Sequence, residues 1–253
     1  MRFSRTAALA LACILPFAAG CKGAAPHVAP QPTGAIQGVI SFTGPVPGPA
    51  AINAALSPAC ARLTHRRQYQ LEDHMLPRTL PPVFLWISSG LSGRTFPAPH
   101  EQAVLTQLNC RFHPQLLGVM PGQPIDFTNS DPFPAHLRIT PRIPANPSLD
   151  LSLRPQSPGD VRSFPRSELM IPVTSPGHPW MHAYINVVPN PCFTVSGPQG
   201  RFVLRNLPPG TYSLSAIQPG YPVQTQPVTV QPNAVAHVNF NFSSTASPAH
   251  NYK

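Results

Sequence analysis

Proline recurs so often along this chain that no stretch with a sustained helical apolar period escapes one. Inside a helix it removes a backbone donor and clashes with the carbonyl four residues back; in a central strand it breaks the ladder. The chain carries 37 prolines in 253 residues, about three times the ordinary ~5% share. An all-β, loop-rich body follows. The length holds one large domain or two small ones.

The strand signals are periodic and well punctuated. Ile36, Gly38, Ile40 and Phe42 alternate until Gly44-Pro45-Val46-Pro47-Gly48-Pro49 stops them. Residues 83–87 are continuously apolar, as in a strand covered on both faces. Residues 50–80 and 88–100 read as irregular. Pro121-Gly122-Gln123 turns into a strand carrying Ile125 and Phe127, which Asn129-Ser130-Asp131 ends. Tyr212, Leu214 and Ala216 alternate after the turn at residues 206–210, and residues 228–230 and 236–242 add two more strands.

The start of the chain reads as an export address. Arg2 and Arg5 precede an apolar run over residues 7–19 that is too short to span a bilayer as a stable helix. Its ending, Ala19-Gly20-Cys21, resembles a bacterial lipobox. That resemblance implies removal of residues 1–21 as a signal peptide up to a lipidated Cys21, with Lys22 directing the protein to the outer membrane, facing the periplasm. Residues 22–33 are a Pro/Ala-rich flexible linker and residues 244–253 a disordered tail.

The net charge of +9 arises from a shortage of acids, eight Asp and Glu in all. The densest basic spot, Arg62, Arg66 and Arg67, lies in the irregular stretch. Nucleic acid is not expected as a partner: no binding motif is present and export argues against it. The expected partners are the membrane, through the lipid anchor, and an unknown envelope protein; contact with anionic lipid is a milder reading. Enzymatic activity is not expected. The only adjacent acids are Glu72-Asp73, and neither a Gly-x-Ser-x-Gly elbow nor a phosphate-binding glycine loop occurs.

One loop carries metal-ligating residue types. In Ser175-Pro176-Gly177-His178-Pro179-Trp180-Met181 an imidazole and a thioether lie three residues apart, between two strand-like runs. With Gly122-Gln123, Asn129, Asp131, His136, Cys192 and the stretch Asn206-Leu207-Pro208-Pro209-Gly210-Thr211-Tyr212, it resembles cupredoxin-like, carboxypeptidase regulatory-like envelope proteins of bacteria. The resemblance implies a cupredoxin-like Greek-key β-sandwich over residues 101–189. It also implies an N-terminal β segment over 34–100 and a transthyretin-like or carboxypeptidase regulatory-like β module over 190–243.

The departures from that family matter as much as the matches. Ser175 stands where the family has its thiolate, and Gln115 where it often has a histidine. His136 is followed by Leu137 and lies one residue further from Asn129 than the pattern has it. Ala216-Ile217-Gln218 replaces Trp-His-Glu. The ligands left are His136, His178 and Met181, a degenerate copper site; no cofactor is expected, with copper as the alternative. His182, next to Met181, is expected on the opposite strand face. The family also implies a Cys60–Cys110 disulfide that leaves Cys192 unpaired. The functional expectation is a non-catalytic envelope lipoprotein acting by binding or scaffolding; the alternative is a periplasmic copper-binding or electron-transfer protein.

Overall fold

The computed structural model describes residues 32–44, 52–53, 55–63, 80–156 and 158–243. The signal region, Cys21, most of the linker, Arg66, Arg67, the Glu72-Asp73 pair and the tail lie outside them. The described residues form seventeen strands and a short helix over residues 58–63. That helix is a correction to the irregular reading of residues 50–80. Ser57 is its N-cap, its Oγ accepting the Cys60 N–H at 3.3 Å, and Pro58 occupies the first helical position, where its missing donor costs nothing. Among the described residues no helix is long and apolar enough to cross a membrane.

The middle of the chain forms one sandwich. Its five-stranded sheet runs β5 (Leu116–Val119), β11 (His182–Val187), β10 (Glu168–Thr174), β7 (Ala135–Ile139) and β8 (Leu149–Leu153). The facing sheet runs β4 (Arg111–His113), β3 (Ala103–Leu108), β6 (Ile125–Asn129) and β9 (Asp160–Arg162). Most pairs are antiparallel, but β11 with β5 and β3 with β6 are parallel. Leu105, Ile125 and Phe127 of one sheet meet Leu137, Ile171, Val173 and Ile185 of the other in a shared core.

Both ends of the described chain build a second sandwich. β1 (Gly34–Thr43) pairs antiparallel with β13 (Arg201–Leu207) and parallel with β16 (Val235–His237) and β17 (Phe240–Ser243). The other sheet runs β12 (Phe193–Val195), β2 (Phe84–Ser89), β14 (Gly210–Ile217) and β15 (Gln224–Val230). The strands of residues 34–100 thus find their hydrogen-bond partners in the module of residues 190–243.

The continuous apolar run at residues 83–87 now has a physical account. Val83, Leu85 and Ile87 face the core of the second sandwich, while Phe84 and Trp86 face a separate cluster with Leu116, Met170, Val188 and Ile217. That cluster joins the two sandwiches. Gly118 on β5 is needed there, because a Cβ on it would come within 2.6 Å of the Phe193 and Phe84 rings.

Candidate functional site: the loop between β10 and β11

Residues 175–181 make two successive turns. The His178 N–H donates to the Ser175 carbonyl at 3.0 Å, and the Met181 N–H to the His178 carbonyl at 2.8 Å. Pro176 followed by Gly177 at φ +82° suits a type II turn, whose third position requires positive φ. The loop lies against the first core: Trp180 and Met181 are buried, and the Trp180 indole N–H donates to the Cys110 carbonyl at 3.2 Å. His178 is half-buried and meets the Trp180 ring edge-on at 5.2 Å. Ser175 is buried, and its Oγ lies 3.2 Å from His178 Nδ1.

His136 is not brought to this loop. On β7 the buried side chains are Ala135, Leu137 and Ile139, so His136 and Arg138 project from the opposite face. There His136 Nε2 contacts Asp150 Oδ1, and Arg138 Nη2 lies 3.4 Å from Asp150 Oδ2. The hydrogen bond from His136 first, with the hydrogen bond and charge of the Arg138 guanidinium, lowers the Asp150 pKa below the usual carboxylate value. The inner face of β7, turned to the core that holds Met181, offers Ala135 and Leu137 instead of an imidazole. The expected set of His136, His178 and Met181 therefore divides between two faces of one sheet. The alternation of β7, which buries Ala135, Leu137 and Ile139, sets His136 on the other face.

The residues present do not fit a blue-copper centre, which needs a thiolate and two imidazoles gathered around one metal. Ser175 offers a hydroxyl already engaged with His178, and His136 faces away. Among the described residues no three His, Cys, Asp or Glu side chains gather as a metal site.

What surrounds the loop is a structural clasp. Cys60 and Cys110 form a disulfide, and Cys192 is free. Cys110 and Asn109, both at φ +54°, make the two-residue β3–β4 turn, the conformation a type I′ hairpin requires. The buried Asp131 carboxylate holds that turn by accepting from Asn109 N at 2.6 Å, Cys110 N at 2.9 Å and Gln107 Nε2 at 3.0 Å. Asn129 Nδ2 donates to the Phe133 carbonyl at 2.8 Å, and its Oδ1 accepts from Asp131 N at 3.0 Å. The Asn-Ser-Asp ending of β6 was visible in the sequence; its reach to Cys110 was not.

His182 lies across the strand from Met181, half-buried. Its Nε2 is 3.2 Å from Gln115 Nε2, an amide donor that suits an unprotonated ring nitrogen. Burial first, and then the Arg111 charge, lower the His182 pKa below its ordinary value of 6.5. Half-burial likewise raises the Cys192 thiol pKa.

Residues 173–243 match the carboxypeptidase regulatory-like domain family. The match begins inside β10. No curated protein matches the chain. Solved structures similar to part of it include a copper-containing nitrite reductase from Thermus scotoductus, at 15% identity and a TM-score of 0.31, over 35% of this chain and 22% of that one. Amicyanin, as an oxidised single-residue variant, is similar at 12% identity and a TM-score of 0.31 over 41% of this chain and 98% of its own. A purple cupredoxin from Nitrosopumilus maritimus is similar at 14% identity and a TM-score of 0.28 over 34% and 99%. Likeness this slight assigns no function.

Proposed function

We propose that this protein is a non-catalytic lipoprotein of the cell envelope, anchored through Cys21, facing the periplasm and acting by binding or scaffolding. In this reading the loop of residues 175–181 is a structural remnant of a copper site. The observation that carries it is the separation of the ligands: His136 is paired with Asp150 on the outer face, while His178 is engaged by the Ser175 hydroxyl. Lipid attachment rests on the basic, apolar and small-residue order ending at Cys21.

Copper titration of the purified protein, followed by visible absorption and paramagnetic resonance, tests the reading. The expected result is no charge-transfer colour and no binding that depends on His178. Saturable copper binding that His178→Ala abolishes would overturn it in favour of a periplasmic copper protein.

A further inference from the structure

The outer face of the β13–β1–β16 sheet is a floor of polar and small apolar side chains. On β1 the buried Ile36 and Ile40 turn inward, so Gln37 and Val39 turn outward. On β13 Phe202 and Leu204 turn inward and Arg201, Val203 and Arg205 outward, while His237 of β16 is exposed. Register sets these side chains in rows: Arg201 stands opposite Val39, and Gln37 stands between Val203 and His237. Thr194 and Val195 of β12 complete the lining of a groove of about 660 Å³ over this face, within the ~300–1,000 Å³ of small-ligand sites.

The backbone beneath the groove is already used. β1 pairs with β13 on one side and with β16 and β17 on the other. The Val39 N–H, between the β16 and β17 pairings, donates to Asn239 Oδ1 at 2.9 Å. The Arg201 carbonyl accepts from Gly197 N at 2.8 Å. A ligand here meets side chains rather than an open strand edge.

Those side chains select the ligand. All eight acids of the chain lie between Glu72 and Glu168, so β1, β12, β13, β16 and β17 contain none. Arg201 and Arg205 are exposed, and among the described residues neither forms an ion pair. Four residues apart on one strand, they offer two carboxylate-binding forks about 13 Å apart. Beside them Gln37 Nε2 lies 3.5 Å from His237 Nε2, an amide and an imidazole that exchange hydrogen bonds with hydroxyls. Val39, 41% exposed, and the half-buried Val203 offer apolar surface to the C–H face of a sugar ring. Spaced carboxylates, hydroxyls between them and C–H faces together describe a chain of uronic acids. A flat anionic bilayer would leave the amide and the imidazole unused.

We propose that this groove binds an acidic oligosaccharide, a chain of uronate sugars whose carboxylates sit on Arg201 and Arg205 and whose hydroxyls bond Gln37 and His237. The proposal deepens the binding role above by naming a ligand class. The groove lies on a different sheet from the β10–β11 loop, so copper binding and saccharide binding succeed or fail separately.

The test titrates tetragalacturonate into the purified full chain by isothermal calorimetry at low salt. Saturable binding is expected, with neutral maltotetraose about tenfold weaker or more, since it brings no carboxylate to the guanidiniums. Arg201→Gln with Arg205→Gln should weaken tetragalacturonate binding about tenfold or more. Gln37→Ala with His237→Ala should weaken it about threefold or more, a loss that bare attraction between a basic patch and a polyanion would not show. Circular dichroism should show both double variants folded, since all four positions are exposed. No binding, binding that survives the arginine changes, or binding indifferent to Gln37 and His237 would overturn the proposal. Arginine-dependent binding to phosphatidylglycerol vesicles, with no binding of tetragalacturonate, would overturn it in favour of a lipid headgroup surface.

Discussion

The two sandwiches hold their irregular segments in different ways. In the first, buried carboxylates and amides collect loop donors: Asp131 holds the β3–β4 turn, and Glu168 accepts from Arg142 N at 2.6 Å and Asn146 Nδ2 at 2.8 Å. The second has no carboxylate in its strands and ties them with hydroxyls, Ser215 Oγ lying 2.7 Å from Ser88 Oγ and 2.8 Å from Thr225 Oγ1. The difference follows from backbone geometry. Long excursions such as residues 140–148 leave peptide groups without ladder partners, and buried ones must be satisfied by side chains. The turns of the second at residues 208–209 and 231–234 are short and leave few. The first sandwich is accordingly the one clamped by buried carboxylates.

The largest break in this comparison should come from Cys60→Ser with Cys110→Ser. The cysteines are 50 residues apart, and opening a loop of that length costs about 4 kcal/mol in urea denaturation. Trp180, bonded to the Cys110 carbonyl, should report the loss before Trp86, which sits in the joining cluster. A loss below about 1 kcal/mol would mean that the clamp is elsewhere. Asp131→Ala should come next, at about 3 kcal/mol, because it strands three donors, two of them on a turn with positive φ. A variant as stable as its parent would remove the carboxylate from the account.

The smallest effect is one of pH. The folded pKa of His182 lies below 6.5, so between the two values the unfolded chain binds more protons. Stability is then fully present above the unfolded value and is lost as pH falls through the folded one. Asp150, lowered by His136, acts in the same direction further into acid. His182→Gln should flatten the dependence of the urea midpoint on pH just below 6.5. An unchanged slope would show that His182 is not the group responsible.

The strands were legible wherever one face is buried, because alternation is a local signal. Ile36 and Ile40 mark β1, and the unbroken run at residues 83–87 correctly announced two covered faces. What strands pair with was not legible: the partners of β1 lie some 160 to 200 residues away. His178, Met181 and Ser175 could be placed on one loop because they are neighbours in sequence. The face of His136 depends on register against β8 and β10, which a single displaced residue reverses.

The long reach of β1 has a consequence for the order in which the chain can be completed. Val39 N donates to Asn239 Oδ1 across 200 residues. At ~5–20 residues per second, a strand emerging at residue 39 waits roughly 10–40 s for that partner to be synthesised. The inner sandwich has all its strands once residue 187 has emerged. The other must keep Ile36 and Ile40 uncovered until the last strands arrive, and it closes beside a body that is already built.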